Sequence, residues 1–150
     1  MHPYRILREQ GNNTPEQVAE LLAEDVEFYS PILTGPVTGR NLISRILALS
    51  SHVRVGHYVR EHRLDERTTF LYWKGVVDGH DLESMELLED DDHGLIARRT
   101  VAYRPFPAVT FFRSVMYENL KDAIAPRYWS YTPDDPATLP AAGRSDAIVQ

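Results

Sequence analysis

The stretch TTFLYWKGVVDGHDLESMELL, residues 68–88, decides the fold. Each half alternates or is enriched in β-branched and aromatic residues, as strands are. Between the halves stands Asp78-Gly79, the dipeptide of a tight hairpin, where glycine supplies a positive φ without a steric penalty. Strands over 68–77 and 82–88 follow. The two-residue period continues outward, predicting further strands over 53–63 and 95–103, the latter beyond the polar turn Asp90-Asp91-Asp92-His93-Gly94. Connections this short imply an antiparallel sheet.

Further out the period changes. Thr14-Pro15-Glu16-Gln17 combines a cap, a proline suited to the first helical position and a glutamine three residues after the cap, and predicts a helix over 15–23 with Val18, Leu21 and Leu22 on one face. In Asp25-Val26-Glu27-Phe28-Tyr29-Ser30-Pro31, Val26 and Phe28 alternate as in a half-buried strand that Pro31 stops. After a turn region with Gly35, Pro36 and Gly39, the residues Leu42, Ile43, Ile46, Leu47 and Leu49 predict a second helix over 41–51. Val109, Phe112, Val115, Met116, Leu120 and Ile124 predict a third before Pro126. The fold class is α+β: one domain over residues 1–131, three helices covering one face of a curved sheet, and a Pro-, Ala- and Asp-rich tail over 132–150. Such a cone encloses a pocket of small-molecule size.

Composition narrows the function classes. Sixteen Lys and Arg against 22 Asp and Glu leave a net charge of −6, the wrong sign for a nucleic-acid partner. The absence of Cys removes disulfides, thiolate nucleophiles and Cys-type zinc sites. The N-terminal MHPYRILREQGNN has no signal-peptide apolar stretch and no segment approaches the ~20 apolar residues of a membrane span, so the expectation is a cytoplasmic protein without a membrane partner. His52, His57 and His62 recur every five residues, a spacing that sends neighbours to opposite faces of a strand or about 140° apart on a helix, so no metal is expected. No glycine-rich phosphate cradle and no G-x-S-x-G elbow is present, and no cofactor is expected.

Four stretches resemble the SnoaL-like branch of the nuclear transport factor 2-like superfamily. They are Asp25-Val26-Glu27-Phe28-Tyr29-Ser30-Pro31; Gly39-Arg40; Glu86-Leu87-Leu88 leading into Gly94-Leu95-Ile96; and Thr100-Val101-Ala102-Tyr103-Arg104-Pro105. They fall within roughly residues 15 to 124. The resemblance implies a cone-shaped α+β barrel, often a homodimer joined through the outer face of its sheet. It does not choose among the isomerases, epoxide hydrolases, polyketide cyclases, dehydratases and non-catalytic binding or scaffold proteins of that superfamily.

Strand parity nominates the site. If Leu82 and Leu88 face inward, so do Ser84 and Glu86, and Glu86 matches a position where the resembling proteins commonly carry an acid. Arg104 shares parity with Ile96, Thr100 and Ala102 and is expected beside Glu86. Two readings of that pair stay open: Glu86 moves a proton while Arg104 stabilises a developing oxyanion, or the two merely satisfy each other in the core. Trp73 is expected inward with Leu71 and Val77, as a flat wall for a small apolar molecule or simply as core. Tyr29 and Tyr58 are candidate hydroxyl donors or rim tyrosines. His57, in parity with Val53, Val55 and Val59, is a candidate acid or base, or a satisfied core histidine. The reading is a cofactor-independent isomerase, cyclase or hydrolase, with a non-catalytic ligand-binding or interaction protein as the alternative.

Overall fold

The computed structural model describes residues 1–129. The tail over 132–150 and Tyr131 lie outside the described residues. Four α-helices and six strands are described: α1 (Pro3–Gln10), α2 (Pro15–Ala19), β1 (Leu22–Tyr29), β2 (Val37–Thr38), α3 (Arg40–Val53), β3 (Arg54–Arg63), β4 (Thr68–Val77), β5 (His80–Asp90), β6 (Ile96–Arg104) and α4 (Phe106–Leu120). The strands form one curved sheet in the order β2-β1-β6-β5-β4-β3. The fold is α+β, as its periodicities imply. The sheet is open, with β2 and β3 as its edges, and does not close into a barrel.

The central hairpin forms as its sequence dictates. Asp78 and Gly79 have φ of 47° and 79°, the pair of positive angles that a two-residue turn compatible with strand twist needs, and Val77 pairs with His80 across it. Pairing continues to Thr68 opposite Glu89, so the register of β4 and β5 is set by that turn.

Two expectations are corrected by tertiary pairing, and one helix is added to those expected. The first helix stops at Ala19, although its capping box forms with Thr14 and Gln17 bonded both ways, at 2.9 and 3.3 Å. Leu22 and Ala23 begin β1 instead, because the Leu21 carbonyl accepts from Ile96 N and Leu22 lies opposite Ile96. That β1–β6 pair is parallel, unlike every other in the sheet. No hairpin joins these two strands, so no short loop dictates their relative direction. Lastly, α1 has no counterpart among the predicted helices: its eight residues bury only Tyr4 and Arg8, too little apolar patterning to read, yet His2 caps it and Pro3 opens it.

The core lies between the inner sheet face and the helices. Leu71, Trp73, Val77, Leu82, Leu88 and Val101 from the sheet meet Ile43, Ile46 and Leu47 of α3 and Phe112, Met116 and Leu120 of α4. Each fully buried leucine contributes about 2 kcal/mol. The outer face of the sheet carries no helix among the described residues and stays exposed at Val55, Val76, Met85 and Leu87.

Candidate functional site

On β5 the alternation Leu82, Ser84, Glu86, Leu88 points inward, and Glu86 is only 1% exposed. A carboxylate inserted among leucines must be neutralised or paired, and here it is paired four times. Ser84 Oγ donates to Glu86 Oε1 at 2.9 Å and the Tyr58 hydroxyl donates to Oε2 at 3.3 Å. Arg99 Nη2 lies 3.0 Å from Oε2, and Arg54 Nη2 lies 3.6 Å from Oε1. Burial alone would push the Glu86 carboxyl up, but the Arg99 and Arg54 guanidiniums and the Ser84 hydroxyl outweigh it and hold Glu86 below its ordinary value. Burial, reinforced by the Glu86 charge, pushes the Tyr58 phenol well up, so it remains a donor.

The two arginines are held by aromatic rings. Arg54 lies over the Trp73 ring at 4.5 Å and the Tyr103 ring at 5.2 Å, and its Nε donates to Ser50 Oγ at 2.9 Å. Arg99 lies between Tyr4 of α1, at 5.2 Å, and Phe28 of β1, at 5.0 Å. Arg8 of α1 donates to the Leu47 carbonyl at 3.4 Å, and its charge also favours the ionised Glu86. Several polar atoms of this cluster are buried without a partner: Arg99 Nε, Arg8 Nε and the Tyr4 hydroxyl. Each such group costs about 1–3 kcal/mol when nothing meets it.

Arg104 is not the partner of Glu86. It is exposed on the outer face, ion-paired with Glu83. The reason is one residue: β6 pairs Arg98 with Glu89 but Ile96 with Asp90, so Ala97 is an extra residue, a bulge that reverses parity along the rest of the strand. Arg99, Val101 and Tyr103 therefore share the inner face, and Thr100, Ala102 and Arg104 the outer. His57 is likewise exposed and lies opposite Lys74 on the outer face, because β3 turns Arg54 and Tyr58 inward; the valines beside it mark the outer apolar face rather than the core. Tyr29 alternates outward from Val26 and Phe28, donates to Glu27 Oε2 at 2.9 Å and stands apart from Glu86. Trp73, Tyr58 and Ser84 are in the cluster. Arg54, Arg99, Arg8 and Tyr4 were not legible: an arginine on a strand reads as solvent-facing unless its register is known.

Among the described residues no group of three or more His, Asp or Glu side chains is placed to hold a metal, and no helix is long and apolar enough to cross a membrane. A charged surface cleft of about 650 Å³, lined by residues such as His2, Glu61, Arg67 and Asp92, includes no member of the Glu86 cluster.

No protein-family model and no curated protein matches this chain. Solved structures share its fold. A bacterial protein of cystatin-like fold from Silicibacter pomeroyi DSS-3 superposes with a TM-score of 0.73 and 26% identity, covering 82% of this chain and 89% of its own. A steroid delta-isomerase from Pseudomonas aeruginosa superposes with a TM-score of 0.67 and 25% identity, over 72% of this chain and 80% of its own. A SnoaL-like protein from Burkholderia thailandensis shares the fold with a TM-score of 0.55 and 8% identity, over 68% and 91%.

Proposed function

We propose that this chain belongs to the SnoaL-like, nuclear transport factor 2-like superfamily and that it binds a small, largely apolar molecule inside its sheet, with the ligand's polar group met by the cluster around Glu86. The observation that carries this reading is that cluster itself. A buried ion-paired network is commonly no more stabilising than well-packed apolar residues, so three arginines and a glutamate in a core of this size suggest a task other than stability. Trp73 and Tyr58 supply flat walls next to it. Extraction of the purified protein followed by mass spectrometry tests the reading. A recurrent stoichiometric compound, lost in Trp73→Ala, is expected; no retained compound and no stabilisation by any member of a small-molecule library would sink it.

A second reading is proton-transfer catalysis of the isomerase type, favoured by the likeness to the steroid delta-isomerase. Both Glu86 oxygens are already engaged, which suits it better to holding Arg54 and Arg99 than to abstracting a proton. In this second reading Glu86 takes the proton on the oxygen that the Tyr58 phenol releases, and the phenol, with Arg99, donates to the developing oxyanion. In this reading Tyr58→Phe lowers kcat on the retained compound about 10²- to 10³-fold with binding unchanged; equal turnover in Tyr58→Phe rejects it.

The outer sheet face supports a homodimer. Val55, Val59, Val76, Met85 and Leu87 are 68%, 39%, 38%, 45% and 36% exposed on adjacent strands, an apolar surface that a second copy would cover by the same patch. Light scattering is expected to give a dimer that becomes monomeric in Val76→Glu/Met85→Glu; a monomeric parent protein rejects the assembly.

A further inference from the structure

We infer that the interior site takes a small organic acid, whose carboxylate is received by Arg99, Arg8 and Tyr4 while its apolar body lies among the core rings. The inference rests on the pocket reading above and adds the charge of the ligand to it. Charge balance is the first argument. Among the described residues the buried charged side chains are Arg8, Arg54 and Arg99, at 7%, 2% and 1% exposure, against Glu86 alone at 1%. The carboxylates that α1 meets are engaged elsewhere: Glu9 accepts from Tyr58 N and Arg5, and Glu61 from His2 N and Arg5. One carboxylate facing three guanidiniums leaves the interior cationic, and a neutral ligand would leave it so.

Donor geometry is the second argument. Glu86 saturates itself on Ser84, Tyr58, Arg54 and one side of Arg99. The donors left over, Arg99 Nε, Arg8 Nε and the Tyr4 hydroxyl, come from β6 and α1, with the Arg99 guanidinium lying over the Tyr4 ring. Two guanidinium N–H groups, one from each arginine, match the two oxygens of a carboxylate, and the phenol adds a third donor. The surrounding Phe28 and Tyr4 rings suit an organic body rather than a hydrated inorganic ion. Access falls to α1, a helix of eight residues that buries Tyr4 and Arg8 and is otherwise tied to the sheet through polar contacts that include His2 N to Glu61 at 2.7 Å, Arg5 to Glu61 at 3.2 Å and His2 to Asp90 at 3.2 Å.

The test measures the thermal midpoint of the full chain with matched pairs, hexanoate against hexan-1-ol and benzoate against benzyl alcohol, plus inorganic phosphate at equal ionic strength. The acids are expected to raise the midpoint by about 3 °C near tenfold saturation, and the alcohols not to. Tyr4→Phe keeps the ring over Arg99 and removes only the hydroxyl, and Arg8→Met leaves Glu86 with its four partners; each is expected to weaken acid binding about tenfold without abolishing folding. Equal shifts from acids and alcohols overturn the anionic ligand and leave the pocket standing. A response to phosphate matching that to the acids overturns the organic body, and acid shifts unchanged in Tyr4→Phe and Arg8→Met alike overturn the assigned donors. Silence from every compound overturns both this inference and the pocket.

Discussion

Glu86→Gln is expected to lower stability by about 3–5 kcal/mol, because it leaves the Arg54 and Arg99 guanidiniums buried without their counter-charge. For a chain of this length that is a drop in Tm of roughly 10 °C. The double replacement Glu86→Leu/Arg99→Met is expected to recover part of the loss, since it removes the desolvation penalty of Arg99 and leaves only that of Arg54. Acid unfolding reports the same interaction. Folded Glu86 titrates below its ordinary 4.5, so the unfolded chain binds the proton more readily and stability rises with pH through that interval. Its contribution is complete above the unfolded value and is lost as pH falls through the folded one. Urea unfolding of the parent and Glu86→Gln proteins between neutral and strongly acid pH should therefore converge as pH falls. A constant difference would mean that Glu86 does not act through its charge.

Gly75→Ala and Gly56→Ala are expected to cost about 3 kcal/mol or more each, an unusual penalty for one methyl group. These glycines face each other across β3 and β4. A Cβ on Gly75 would overlap the Val55 carbonyl oxygen and the Trp73 ring, and one on Gly56 would overlap the Lys74 carbonyl oxygen and the same indole. The absence of both side chains lets the Trp73 ring lie down along the strands, where it forms the floor under Arg54. Relief requires either a backbone shift or expulsion of the indole, and expulsion would remove that floor from the Glu86 cluster. Denaturant midpoints followed with tryptophan fluorescence check both: unchanged stability in the two variants would show that Trp73 has another place to go.

Both effects bear on what could be read in advance. Glu86 faces inward with Ser84, as period-2 counting from Leu82 and Leu88 requires. The same counting on β6 sends Arg104 inward, and the Ala97 bulge makes it face solvent. On β3 the apolar residues Val55 and Val59 belong to the outer face, so hydrophobicity there marks an uncovered surface and draws His57 to the wrong side. Gly56 and Gly75 stand in the sequence as isolated glycines in strands; only their cross-strand register shows that they serve one tryptophan. Tyr4 and Arg8 sit on a helix whose buried face is too short to announce itself.

What the chain's own order of residues determined is everything governed by neighbours within a few positions: the existence of the four strands between 54 and 104, the Asp78-Gly79 turn, the Thr14 capping box, the apolar faces of α3 and α4, and the inward direction of Glu86. Tertiary structure decided the parallel β1–β6 pairing, the open edges of the sheet and the identity of the arginines beside Glu86. The physical reason is that facing in a strand alternates with every residue, so a single bulge reverses all that follows it. Where a bulge falls is settled by pairing between strands distant in sequence, which local propensity does not contain.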